Sequence, residues 1–283
     1  MTPRVHRGGS GRLRVDWSTG LLGFAAGLLI AVVTAPVGVS GAVFLLPIQL
    51  SVLAVPNPAV TPTNLLYNVV AGPGALLRYH RDGRLRGRLT RLLLAGTLPG
   101  VVLGAVIRVF AVPGPTVFRA LVAILLLPLG LWLIARTLRA TADTAHTAGS
   151  GGTGGQGLRP RSTVVLSVAV GTVGGIYGIG GGSILGPVLV GRGMPVAQVA
   201  PAALASTFCT SLAGAATYGL LSLTATGSIA PDWPLGLACG LGGLIGGYLG
   251  ARLQPRLPER FLRFLLGALA AGVGTFYAVD ILA

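Results

Sequence analysis

The chain has 283 residues, of which 52% are hydrophobic and 10% are charged, and its formal net charge is +15. Because a soluble domain carries about 25% charged residues, this composition argues against a soluble protein and predicts an integral membrane protein with several apolar runs of spanning length. The basic residues are all arginine and lie mostly between apolar runs, which favours the positive-inside rule over nucleic-acid binding.

The first half of the chain begins with an arginine-rich tail at 1–19, which we expect to be retained because no cleavage-like site follows it. A first transmembrane repeat is predicted at 20–139. Its apolar segments lie at about 20–36, 41–55, 62–78, 89–112 and 116–136.

A Gly/Ser-rich stretch at 140–161 predicts a flexible cytoplasmic linker. A second transmembrane repeat is predicted at 162–283. Its apolar segments lie at about 162–178, 182–191, 196–221, 233–252 and 258–281. The chain is therefore expected to fold as an all-α polytopic membrane bundle of two repeats with about 8–10 membrane segments.

Arginines in equivalent loops predict that the two repeats are inverted. The loop at 78–91 holds six arginines, whereas its counterpart at 221–233 holds none. Conversely, the turn at 111–115 holds none and its counterpart at 251–263 holds four. Opposite charge bias at equivalent loops indicates opposite insertion in the membrane. The arginines of the N-terminal tail do not fit this scheme, because strict inversion would place the tail outside.

Each repeat carries a helix-breaking motif, GVSGAVFLLP at 38–47 and GIGGGSILGP at 178–187. The elements that follow are too short to cross about 30 Å of hydrocarbon, so they are predicted to be half-helices. A half-helix that begins within the membrane presents backbone N–H groups and a positive dipole end, which suits an anion. The alternative is close packing around glycine without a ligand. The candidate ligand-binding residues of the two motifs are Gly38, Ser40, Gly41, Gly178, Gly180, Gly181 and Gly182.

Polar side chains follow both motifs, in TPTNLLYNVVAGPG at 61–74 and APAALASTFCTSLAG at 200–214. Asn64 and Asn68 are one helical turn apart, and Asn68 aligns with Thr207. Hydrogen bonding between helices is the alternative explanation, especially for the hydroxyls. The candidate binding residues here are Thr63, Asn64, Asn68, Ser206, Thr207, Thr210 and Ser211.

Acidic and histidine residues are absent from the middle of the apolar segments, and no Walker lysine exists. We therefore expect a small anion as ligand, with no metal and no cofactor, and we do not expect an enzyme. Cys209 and Cys239 fall within apolar segments and are expected to be small buried residues. A role for Cys209 as a nucleophile is the alternative.

The order and duplication of these motifs resemble the TauE/SafE sulfite exporter family of membrane permeases. The resemblance implies a secondary transporter of a small anion such as sulfite, sulfoacetate or another sulfur-containing or organic anion, in the inner membrane. Ala202 and Ala203 depart from the family pattern, since they stand where the first repeat has Thr63 and Asn64. The matching positions are Gly38, Gly41, Pro47, Thr63, Asn64, Gly178, Gly181, Gly182 and Pro187.

Other functions share these sequence features. A passive anion channel would need the same polar site, and a thiol-dependent enzyme or assembly factor would use Cys209. Small-xxx-small patterns at Gly100 and Gly104, and at Gly243 and Gly247, make a homodimer plausible.

Overall fold

The computed structural model describes residues 17–51, 57–85, 87–111, 115–143, 160–221 and 231–282. Within these ranges the chain forms ten α-helices and two short 3₁₀ turns, Ala35–Val37 and Gln254–Arg256, and no strand. The helices are α1 Trp17–Thr34, α2 Ala42–Ser51, α3 Asn57–Arg81, α4 Arg88–Ala111, α5 Pro115–Asp143, α6 Pro160–Tyr177, α7 Gly182–Gly191, α8 Val196–Leu221, α9 Trp233–Leu253 and α10 Glu259–Leu282.

Several of these helices are suited to a bilayer. Five are long and apolar enough to cross a membrane: Trp17–Val37, Arg88–Phe110, Val196–Leu221, Trp233–Arg256 and Glu259–Ile281. Large apolar side chains such as Leu21, Leu29 and Ile124 are exposed on the outside of the bundle, where lipid would cover them. The prediction of an all-α polytopic membrane protein is confirmed.

The two predicted breaks interrupt the helices where the glycine motifs stand. Gly38 has a φ of 77°, and Gly178 and Gly180 have φ values of 69° and 72°. A side chain is disfavoured in this left-handed region, so glycine is needed there. The helices that follow, α2 and α7, have ten residues each. Ten residues span about 15 Å, half the hydrocarbon thickness.

The halves interlock instead of forming separate bundles. α1 packs along α9 and α4 packs along α6, so the first helix of each half lies on the fourth helix of the other. Glycines allow this closeness: a Cβ atom at Gly27 would overlap the backbone of Cys239, and one at Gly104 would overlap that of Thr172. Since equivalent helices make equivalent contacts, the internal repeat seen in the sequence extends to the packing.

The equivalent helices α3 and α8 cross at the centre and run antiparallel, because Gly72 lies against Phe208 and Gly214 lies against Leu65. The other equivalent pair in contact, α5 and α10, is also antiparallel, since Gly274 meets Leu127 and Gly267 meets Ile134. Inversion of the halves in the membrane stays a prediction, and these antiparallel pairs support it.

The glycine patterns proposed as a dimer face contact other helices of the same chain. Gly100 and Gly104 pack against the backbone of α6, Gly243 packs against Tyr67 and Ala71, and Gly247 lies near Ala75. The homodimer stays a prediction without the support of these patterns. Residues 1–16 of the predicted tail and residues 144–159 of the predicted linker at 140–161 lie outside the described residues.

Candidate functional site

The two breaks meet at the centre of the bundle. Gly38 lies against Ala200 of α8, and Gly178 lies against Thr61 of α3, so each break packs on the third helix of the other half. The breaks also contact each other, because the backbone N–H of Ser40 donates to Oγ of Ser183 at 3.1 Å. The paired motifs recognised in the sequence are therefore one structural unit.

Asn68 connects the first break to the second. The hydroxyl of Ser40 donates to Oδ1 of Asn68. The amide nitrogen of Asn68 donates to the backbone carbonyl of Gly178 at 3.3 Å. Ser40 Oγ also accepts from the N–H of Ala42 at 3.1 Å, so the start of α2 is capped by its own serine. The first backbone N–H of α2, which was expected to face an anion, is thus already hydrogen-bonded within the protein.

A cavity of about 40 Å³ lies beside this junction, between the first break, α1, α3, α8 and α9. Its lining includes no charged side chain. A neighbouring cavity of about 10 Å³ has apolar walls apart from Ser183. The larger cavity is therefore the candidate ligand site. The polar side chains in its lining are Thr34, Ser40, Tyr67, Asn68 and Thr207.

Thr207 distinguishes this cavity from ordinary helix packing. Its side chain is 3% exposed and lines the cavity, and its Oγ1 has no hydrogen-bond partner among the described residues. Two other hydroxyls of α8 are occupied, because Thr210 donates to the carbonyl of Ser206 at 2.7 Å and Ser206 shares a hydrogen bond with Thr97 at 2.9 Å. A buried hydroxyl without a partner is unfavourable, so Thr207 is the candidate donor to a ligand in this cavity.

Gly41 is the other predicted residue in the cavity lining. The second break lies behind this wall: Gly180 contacts Thr207, Gly181 contacts Thr97, and Gly182 packs on the backbone of Ala203. These three glycines and Gly178 are outside the lining. They support the cavity by allowing α7 to approach α8.

The remaining six predicted residues also lie outside the lining: Gly38, Thr63, Asn64, Ser206, Thr210 and Ser211. Thr63 is engaged structurally, since its hydroxyl donates to Ala59 at 2.6 Å and accepts the N–H of Asp232 at 2.9 Å. Asn64 and Ser211 are fully buried, and their side-chain polar atoms have no hydrogen-bond partner within the described part of the chain. Thr210 is bonded within α8, as described above.

Sequence reasoning missed Thr34, Tyr67 and Ser183. Tyr67 had a local signal, because it lies between Asn64 and Asn68 in TPTNLLYN, and an aromatic residue in an apolar run is more often part of the core. Ser183 directly follows the glycines of the second motif. Neither position carries a charge that would have marked it.

The cysteines are free, and Cys209 is half-buried and outside the cavity lining. Cys239 is buried against Gly23 and Gly27 of α1. Among the described residues, no group of three or more His, Cys, Asp or Glu side chains could hold a metal ion.

Comparison with known proteins supports the resemblance found in the motifs. A family model described as sulfite exporter TauE/SafE matches residues 23–277. No curated protein and no solved structure matches the chain. The matched range includes both breaks, the helices α3 and α8, and every residue of the cavity lining named above.

Proposed function

Since the chain belongs to the sulfite exporter TauE/SafE family, we propose that it carries a small anion across the inner membrane of the cell as a secondary transporter. The central cavity is the observation that carries this proposal. It lies where the two halves meet, and it presents the unpartnered hydroxyl of Thr207 beside the amide of Asn68. Hydroxyl and amide donors suit the oxygens of an anion.

The substrate is sulfite, sulfoacetate or another small sulfur-containing or organic anion. Asn68 is oriented for this task, because its Oδ1 accepts from Ser40 while its amide nitrogen points towards the second break. One amide hydrogen serves Gly178, and the second is left for a ligand. Thr207 and Tyr67 supply hydroxyl donors from the cavity walls.

Alternating access follows from an inverted pair of halves around this site. The antiparallel crossing of α3 and α8 supports inversion. The cavity lies on one side of that crossing, next to Ala75 and Leu204. On the other side, the equivalent residues Gly214 and Leu65 lie against each other. A shift of the two halves about this crossing would move access to the opposite face.

The decisive experiment measures uptake of radiolabelled sulfite by proteoliposomes, with protein-free liposomes as the blank. We expect wild-type uptake to saturate and to be stimulated by sulfite on the opposite side, because a carrier must reset. Thr207→Val removes the hydroxyl while keeping the shape, and uptake at low sulfite should fall at least about tenfold.

Thr217→Val is the matched control for this substitution. Thr217 lies on the same helix outside the cavity, and its hydroxyl donates to the carbonyl of Ala213 at 2.8 Å. This variant should transport at the wild-type rate. Unchanged uptake by Thr207→Val would remove the cavity from the mechanism. Uptake that rises linearly with concentration and shows no stimulation from the opposite side would favour the anion channel instead.

A further inference from the structure

The walls of the central cavity carry hydrogen-bond donors but no formal positive charge. We propose that the cavity therefore accepts singly charged anions and rejects dianions, so that the form of sulfite it carries is hydrogensulfite. This inference rests on the proposed function and narrows its substrate class: sulfoacetate, whose sulfonate and carboxylate both carry a charge near neutral pH, is then excluded. It follows from which charges lie in the cavity wall and which lie elsewhere.

The charged side chains on the helices that form the cavity stand at the helix ends. Arg78 and Arg81 are in the last turn of α3, and Arg252 is in the last turn of α9. Asp232 caps the start of α9, where its carboxylate accepts the N–H of Leu235 at 3.1 Å. None of these residues is part of the cavity lining.

Arg84 follows α3 and is held away from the cavity. Its guanidinium donates to the side-chain oxygen of Gln254 at 2.9 Å and to the carbonyl of Ala197. It also lies over the ring of Tyr79, 5.7 Å from the ring centre. An anion in the cavity would consequently meet no arginine from the described residues.

Charge decides between a monoanion and a dianion in such a site. The cost of removing an ion from water rises with the square of its charge, so the cost for a dianion is about four times that for a monoanion of the same size. Sites for doubly charged oxyanions usually offset this cost with arginine or lysine. Neutral hydrogen-bond donors offset less of this desolvation cost, and the side chains that line the cavity are all neutral.

The donors are arranged for a single negative charge. Thr207 presents a hydroxyl that is buried without a partner. Ser40 donates to the carbonyl oxygen of the Asn68 side chain, which would otherwise repel an anion, and the amide nitrogen donates one of its two hydrogens to Gly178. Tyr67 and Thr34 add further hydroxyls to the wall. The lining can thus bind an anion through hydrogen bonds, and it contains no charged side chain that could form an ion pair with the anion.

Sulfite tests this inference well because it exists in both charge states near neutral pH. Hydrogensulfite dominates in mildly acidic solution, and the dianion dominates in mildly alkaline solution. Tyr67 is the only titratable side chain of the cavity lining among the described residues, and a phenol titrates well above this range. The pH dependence of sulfite uptake should therefore follow protonation of the substrate.

The experiment uses wild-type protein in proteoliposomes and compares two competitors of radiolabelled sulfite uptake. Methanesulfonate is a monoanion at every pH used, and sulfate is a dianion. We expect methanesulfonate to inhibit at a concentration at least about tenfold lower than sulfate does. At constant total sulfite, uptake should fall as the external pH is raised, whereas uptake of labelled methanesulfonate should stay constant.

Three results would overturn the inference, and they are distinguishable. If sulfite is taken up but sulfate competes as well as methanesulfonate, charge selection is wrong and the transport function stands. If folded protein takes up neither sulfite nor methanesulfonate, the proposed function and this inference fail together. Sulfite uptake that rises with pH would also contradict the inference, because the dianion would then be the substrate.

Discussion

The hydroxyl of Tyr79 donates to the backbone carbonyl of Ala35 at 3.1 Å, which ties the end of α3 to the first break. The hydroxyl of Tyr218 makes the equivalent bond to the carbonyl of Gly175, also at 3.1 Å. Tyr79 and Tyr218 are 139 positions apart, and Ala35 and Gly175 are 140 positions apart, as the aligned motifs of the two repeats are. An equivalent hydrogen bond from a tyrosine hydroxyl to a backbone carbonyl therefore stabilises each half of the bundle.

Removing either tyrosine hydroxyl should destabilise the protein. Tyr79→Phe and Tyr218→Phe each remove a buried hydrogen bond at a helix break, and the Ala35 carbonyl then keeps the N–H of Gly38, at 3.1 Å, as its donor. Losing such a bond costs about 1 kcal/mol. We expect both variants to melt at a lower temperature than the wild type in the same detergent. Tyr248→Phe is the control, because the Tyr248 hydroxyl bonds Arg81 on the exposed surface. If all three variants have the same melting temperature, the two buried hydrogen bonds contribute no more stability than the exposed one.

The helix order was predictable from sequence because glycine and proline mark the ends of apolar runs. The expected segments at 182–191 and 196–221 coincide with α7 and α8. The short elements after both breaks were also expected, since their length cannot cross a bilayer. These conclusions depend on local chain stiffness and hydrophobic length, and both can be read from neighbouring residues.

The cavity was less predictable because it depends on contacts between distant residues. Thr207 and Thr210 look alike in the sequence, but Thr210 bonds a carbonyl of its own helix and Thr207 does not. Thr63 was expected to bind the ligand, yet it accepts the N–H of Asp232 from the other half.

Helix contacts through glycine should be sensitive to a single methyl group. A Cβ atom at Gly74 would overlap the backbone carbonyl of Leu244 in α9. Because neither backbone can move without separating the helices, Gly74→Ala should cost about 1–3 kcal/mol. Gly272→Ala in α10 is the matched control, since no atom lies within 4 Å of its Cβ position. Thermal unfolding should show a clear loss for the first variant and no loss for the second, where alanine favours the helix.

The loop after α3 is fastened to the second half by Arg84. Arg84→Ala removes the bonds to Gln254 and to the carbonyl of Ala197, and we expect a loss of about 1–2 kcal/mol of stability. Arg84→Lys should recover little of it, because a lysine cannot serve both acceptors with a planar fork. Arg88→Ala, at an exposed position in the same loop region, is the control. Melting temperatures that fall equally for Arg84→Ala and Arg88→Ala would point to a general charge effect.

Asn64 and Asn68 should respond in opposite directions to the same substitution. The two side chains are one turn apart on α3, and both are buried. Asn68 bonds Ser40 and Gly178, whereas both amide atoms of Asn64 have no hydrogen-bond partner among the described residues. Leucine branches at Cγ as asparagine does, with a somewhat larger side chain, and has no polar atoms. Asn64→Leu should therefore raise the melting temperature, because it removes an unsatisfied amide that costs about 1–3 kcal/mol, while Asn68→Leu should lower it.

Transport measurements on the same variant test why the chain keeps an unfavourable amide at residue 64. We expect Asn64→Leu to be folded, more stable and inactive in sulfite uptake, because an amide that lacks a partner in this arrangement would bond the substrate or the opposite half in another. Wild-type uptake by a stabilised Asn64→Leu would show that the amide has no part in transport. A destabilised Asn64→Leu would instead show that the amide has a partner in the resting protein.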